Sequence, residues 1–165
     1  MAERGSRFDP LGILATLDRH RVTYIVIGSL ARVIQGAEEV TNGVDMVPST
    51  RAENLRRLGE ALSDLGAETS DGKEPVLDEA AASTLELRTD RGELKVVPEP
   101  AGTGGYDDLR RAATREPLGS GVRPTVASVG DLARMLAALG RENDEDRLRS
   151  LRRLAELELS RGLEL

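Results

Sequence analysis

The sequence has no cysteine, no tryptophan and a single histidine, His20. Without thiols there can be no disulfide, no thiolate metal centre and no cysteine nucleophile. A triad built on imidazole would rest on His20 alone. That residue falls at the end of an amphipathic stretch, between Arg19 and Arg21, where positive charge complements a helix C-terminus. Phe8, Tyr24 and Tyr106 are the only aromatic residues, too few for base-stacking platforms. Lysine is almost missing too: Lys73 and Lys95 stand alone, and every other basic side chain is arginine or His20. No apolar run approaches the length of a membrane span, and the first residues hold no signal-peptide core, so a cytoplasmic chain with no membrane attachment is expected. A net charge of −6 argues against non-specific nucleic-acid binding as its main task.

What remains is patterned for one domain over residues 1–165, with a core at about 9–127 and C-terminal helices at about 128–162. Asp9-Pro10, followed by Leu11, Ile13, Leu14 and Leu17, predicts a capped helix with proline in its first turn. Val22 to Ile27 is a continuous apolar run, as in a strand buried on both faces. Gly28-Ser29 turns it into a short helix, Leu30 to Gln35, and a second strand spans Val44 to Val47. Thr50 and Glu53 make a capping box ahead of a helix with Leu55, Leu58, Leu62 and Leu65 on one face. Its arginines and acids, Arg51, Arg56, Arg57, Glu60 and Asp64, fit a solvated face. The stretch from Thr69 to Ala82 reads as a turn and loose connection. Thr84–Thr89 and Glu93–Val97 then form a hairpin around Asp90-Arg91-Gly92.

Ala101-Gly102-Thr103-Gly104-Gly105 lacks the ending of a phosphate loop, and it reads as a connection to a helix from Tyr106 to about Thr114. Arg123–Ala127 predicts a last strand. Ser128 and Asp131 cap a helix that ends at Gly140, and Asn143 opens a final helix with an acidic first turn. The fold class is therefore α/β (α+β): a mixed sheet, flanking helices and a C-terminal helical segment.

Two positions stand out chemically. Asp45 lies between apolar neighbours on a short strand, where a carboxylate is costly unless it meets a metal, a cation or donors. Lys95 lies within an apolar strand of a chain that otherwise avoids lysine. Gly28 and Ser29 open a helix, a geometry suited either to holding an anion or to a tight capped turn. Thr41 precedes the Asp45 strand and fits an ordering role for that loop.

Gly28-Ser29-x-Ala31, then Gly36, then Thr41-x-x-x-Asp45 resembles the signature of the polymerase-beta-type nucleotidyltransferase superfamily. Within it the pattern is most similar to the minimal-nucleotidyltransferase and AbiEii-type toxin branch. The resemblance runs from about Leu11 to Leu157. It implies a strand with two alternate aspartates, a third acidic strand, magnesium, and a nucleoside triphosphate held near Gly28, Ser29 and Thr41. This chain departs at the chemical positions. Gly43 stands where the family has its first aspartate, and Lys95 where it has its third. Gln35-Gly36 replaces a His-Gly pair, Glu39-Val40 replaces an arginine before Thr41, and Leu136 and Asn143 replace downstream lysines.

Metal-dependent nucleotidyl transfer needs carboxylates converging on magnesium. Alternate strand residues share a face, so here that face would present Gly43 and Asp45. The expectation is that Lys95 takes the metal's place and pairs directly with Asp45, leaving no metal site. The resulting reading is a catalytically degenerate nucleotidyltransferase-like protein, a pseudoenzyme acting as a binding or regulatory module. Its open partners are a second copy, an active paralogue, an antitoxin-like protein of a toxin–antitoxin pair, or a nucleotide. The alternative is an active toxin-like enzyme with a site rebuilt around Ser29 and Asp45, recruiting Glu86, Glu93 or Glu99. It would use an NTP and Mg2+ and modify RNA, protein or a small molecule. A third option uses Lys95 itself as acid, base or nucleophile.

Overall fold

A computed structural model describes residues 8–77 and 83–163, with side chains to Ser160. Its centre is β1 (Tyr24–Ile27), every residue of which is buried, as the unbroken apolar run requires. β2 (Gly43–Pro48) pairs antiparallel with it, setting Ile27 opposite Asp45. The hairpin β3 (Leu85–Thr89) and β4 (Gly92–Val96) adds parallel to β2 through β4, and this register places Lys95 beside Asp45. On the other side, β6 (Thr125–Val126) runs parallel to β1 and carries β5 (Thr114–Arg115) at the edge. The mixed sheet therefore reads β3-β4-β2-β1-β6-β5.

Strand alternation divides the two faces. Val44 and Met46 of β2 are fully buried, and they join a core with Ile13, Leu14 and Leu17 of α1 (Pro10–Arg19) and Leu58 and Leu62 of α3 (Ala52–Asp64). Each such side chain withdrawn from water contributes about 1.5–3 kcal/mol before its entropy cost. Asp45, one residue out of phase, points to the opposite face. There α2 (Gly28–Ile34) packs on β1 and β2, and it also meets α5 (Val129–Leu139). α6 (Glu145–Leu163) lies on α5, with Leu151 buried and Leu157 half exposed.

The caps test the local readings. Asp9 accepts from the Gly12 amide at 2.9 Å, and Ser128 accepts from the Asp131 amide at 3.0 Å, both as expected. Gly140 closes α5 in the left-handed conformation, which glycine adopts at no steric cost. Thr50 does not cap α3. The chain enters at Arg51 without a side-chain cap, and Asn54 in the first turn bonds both peptide groups of Thr23 and the Ser49 carbonyl instead. Tertiary hydrogen bonds to the sheet end thus replace the local box. The helix after the glycine-rich loop, α4 (Tyr106–Leu109), is one turn long. It stops short of Thr114, because Thr114 and Arg115 are taken up by pairing with β6. Ala80–Ala82, in the small-residue run before the hairpin, lies outside the described residues.

Candidate functional site

The end of β1 delivers the chain into α2 through Gly28, whose φ of +71° favours glycine. This glycine does more than turn. A β-carbon at position 28 would lie 2.5 Å from the Asp45 Oδ2 atom, so the missing side chain is what lets the carboxylate rest against the turn. The Ser29 hydroxyl donates to Thr41 Oγ1 at 2.8 Å, and Thr41 in turn donates to the Gly43 carbonyl at 3.1 Å. Ser29 is therefore neither the helix cap, a position held by Ile27 without a side-chain bond, nor a free donor. The relay through Thr41 fixes the loop that leads into β2.

Gly28, Ser29, Asp45 and Lys95 line one cavity of about 460 Å³. Ser29, Asp45 and Lys95 also line a neighbouring cavity of about 500 Å³, which opens toward the β3–β4 hairpin. Thr41 joins the group only through Ser29. The parallel register delivers Lys95 beside Asp45, but the direct ion pair expected from the sequence is not formed. Among the described residues, the carboxylate that the Lys95 ammonium meets is Glu86 on β3, at 3.7 Å. Lys95 is opposite Glu86 across the hairpin and its side chain is 42% exposed, so it extends outward rather than down onto the more buried carboxylate. Burial pushes the Asp45 carboxyl above its ordinary range; the nearby charges of Lys95 and Arg32 oppose that rise without cancelling it, and Glu86 and Glu93 add to it.

An arginine–carboxylate chain borders both cavities, and sequence reasoning did not anticipate it. Arg32 of α2 grips Glu39 through two bonds, of 2.7 and 3.0 Å. Glu39 also accepts from Arg147 of α6 at 3.1 Å. Arg147 and Arg141 then share Asp144, at 2.8 and 2.5 Å. Asp144 has no accessible surface, although the arginines that cover it are 53% and 41% exposed. Burial alone would raise its carboxyl, but the hydrogen bonds and charges of Arg141 and Arg147 outweigh that and hold it low. The acidic start of the last helix thus binds arginine rather than merely facing the helix dipole. The replacement of a family arginine by Glu39 was the available signal, since a charge reversal calls for a new partner.

The magnesium that the resemblance implies can be judged from the donor set. Gly43 offers no side chain on the Asp45 face, and Lys95 is a cation. Glu39 and Asp144 are occupied by arginine. Glu99 lines a different cavity, with Pro48 and Tyr106. Among the described residues no three histidine, aspartate or glutamate side chains converge as a metal-binding group. These residues do not fit a two-metal centre. His20, the other candidate acid–base group, lies on the far face, 2.7 Å from Asp64.

No family model matches the sequence, and neither does any curated protein. Solved structures do match in shape. The lincosamide antibiotic adenylyltransferase LnuA, bound to lincomycin, aligns over 90% of this chain and 99% of its own, with a TM-score of 0.62 at 16% identity. Protein TM1012 from Thermotoga maritima aligns over 84% and 87% at 0.58 and 18% identity. ANT(2'')-Ia in complex with adenylyl-2''-tobramycin aligns over 92% and 88% at 0.56 and 16% identity. The chain has the nucleotidyltransferase fold. Among the described residues, no helix is long and apolar enough to cross a membrane.

Proposed function

Given a nucleotidyltransferase fold, we propose that this chain has lost metal-dependent nucleotidyl transfer and works in the cytoplasm as a binding or regulatory module. One observation carries the reading: Asp45 stands without carboxylate company at the catalytic positions, with Gly43 two residues before it and Lys95 beside it in register. A lone carboxylate whose proton affinity is raised by burial is a poor ligand for a divalent cation, which needs ionised oxygens. Gly28, Ser29 and Thr41 then serve as the frame of a pocket, and the pocket meets an acceptor or partner without chemistry. A second copy, an active paralogue or, for a chain of the AbiEii-type toxin branch, an antitoxin-like protein would supply the biological readout.

Incubating the protein with each labelled nucleoside triphosphate and magnesium or manganese tests this directly. No label should be transferred, and no metal-dependent nucleotide binding should appear. The paired change Gly43→Asp with Lys95→Asp should create a divalent-ion site. The first substitution needs a small backbone adjustment, because its β-carbon would meet the Glu93 carbonyl at 3.1 Å. Transfer by the unaltered chain that disappears in Asp45→Ala would overturn the proposal.

That outcome would favour the second reading, an active toxin-like enzyme moving a nucleoside monophosphate from an NTP with Mg2+ to RNA, protein or a small molecule. Its support is that Glu86 and Glu93 line the same cavity as Asp45 and influence its titration.

A further inference from the structure

The two cavities that meet at Asp45 have walls of different chemistry. The one toward the hairpin mixes its cations with carboxylates, Glu39, Asp45, Glu86 and Glu93. In the one toward α5, Asp45 is the only acidic lining residue among those described, and it faces Arg32, Lys95, Arg141 and Arg147. The rest of that second lining is largely apolar, with Met135, Leu136 and Leu139 of α5 beside Pro100 and Ala101. At about 460 Å³ it falls within the range that small ligands occupy.

Its cations are held in place from behind. Asp144, closed off from solvent, aligns Arg141 through Nε and Arg147 through Nη1. Glu39 adds a bond to Arg147 Nε. The Nη atoms of Arg141 and the Nη2 atom of Arg147 are in none of these bonds, so oriented donors remain for a ligand. Pre-ordering of this kind lowers the entropy cost of binding.

We infer that this second cavity binds a small organic anion of low charge without a metal ion. The apolar body rests on Met135, Leu136 and Leu139, and its carboxylate, sulfonate or monophosphate sits at Lys95, Arg141 and Arg147. The charge balance selects the class. Arg32, Arg141 and Arg147 against Glu39 and Asp144 leave a surplus of one positive charge, while Lys95 is shared with Glu86 and buried Asp45 holds its proton more tightly than usual. Such a pocket suits a monoanion or monophosphate and leaves a triphosphate largely uncompensated without magnesium. The inference rests on the metal-free reading of the site above, yet it can fail independently.

The test is calorimetric titration of the full chain in excess chelator with naphthalene-1-sulfonate, AMP, ATP, inorganic phosphate and adenosine. Naphthalene-1-sulfonate or AMP should bind at least ~10-fold more tightly than phosphate or adenosine, because both halves of the pocket are needed. ATP should gain nothing over AMP. Whichever of the two binds more tightly identifies the anion source as an apolar acid or a nucleotide. Leu139→Glu and Lys95→Glu alter half-exposed side chains, so both proteins should fold, and each should weaken binding by about tenfold or more. Arg88→Gln removes a cation that lines only the first cavity and should leave affinity within about twofold. The inference is overturned if neither probe binds in chelator, if ATP binds there more tightly than AMP, or if Leu139→Glu and Lys95→Glu both bind as the parent does. Metal-dependent transfer would sink the degenerate reading. Its absence together with no anion binding would sink this one alone.

Discussion

Asp45 lines both cavities and Asp144 lies behind the arginines that line them, and their carboxyls are displaced in opposite directions. Asp45 sits on a strand, pressed against Gly28, with its nearest register partner turned away toward Glu86. Burial dominates there, and its proton is held more tightly than usual. Asp144 is even less accessible, yet two arginines reach it and its proton is held more loosely. What decides the direction is whether donors arrive as water leaves.

Removing the satisfied carboxylate should hurt most. Asp144→Ala strips Arg141 and Arg147 of a shared acceptor and frees the link between α6 and Glu39. The cost should be about 1–3 kcal/mol, discounted because both arginines are half exposed. Denaturant unfolding measures it, and an unchanged midpoint would mean that the buried link does not hold the helix. The same carboxylate sets a sign for pH. Its folded pKa is depressed, so its contribution is present above the unfolded pKa and is lost as pH falls through the folded one. Acid melts of Asp144→Asn should therefore be shallower than those of the parent.

Gly28→Ala comes next. The new β-carbon would fall 2.5 Å from Asp45 Oδ2 on a backbone at φ +71°, and a loss of about 1–2 kcal/mol follows from strain at a position suited to glycine. Combining it with Asp45→Gly should recover part of that loss. Full additivity in a double-mutant cycle would deny the contact.

Asp45→Asn runs the other way. A carboxyl raised above its unfolded value stabilises the fold relative to neutral pH only while protonated, so stability should decline as pH rises through the folded pKa. Each unit of such displacement is worth about 1.4 kcal/mol. The amide removes that decline, so the variant should be at least as stable as the parent at pH 7 and less pH-dependent. A marked destabilisation would mean that the ionised oxygens are held by strong donors after all. The smallest effect belongs to Glu86→Gln. Its pair with Lys95 is 3.7 Å long and exposed, and stability should shift by less than about 0.5 kcal/mol.

Much of this was legible along the chain. The apolar run of β1, the alternation of the hairpin, the caps at Asp9 and Ser128 and the stop at Gly140 each depend on neighbours in sequence. Those local rules held. Asp45 and Lys95 were recognisable as charges in apolar strands, and the resemblance implied that those strands lie side by side, as their register shows. Local rules failed where a distant group competed. Asn54 displaced the Thr50 cap, and β6 claimed residues that otherwise continue α4.

By itself, then, the sequence determined most of which segments become strands and helices, and showed that Gly43 and Lys95 stand where the resembled motif has carboxylates. Only the tertiary structure decided the partners of the charges: that Lys95 turns to Glu86, and that Arg32, Arg141 and Arg147 converge on Glu39 and Asp144. Periodicity propagates over a few residues, so it can be read from a string. An ion pair between Glu39 and Arg147 joins residues 108 positions apart, and its existence depends on how helices pack on a sheet.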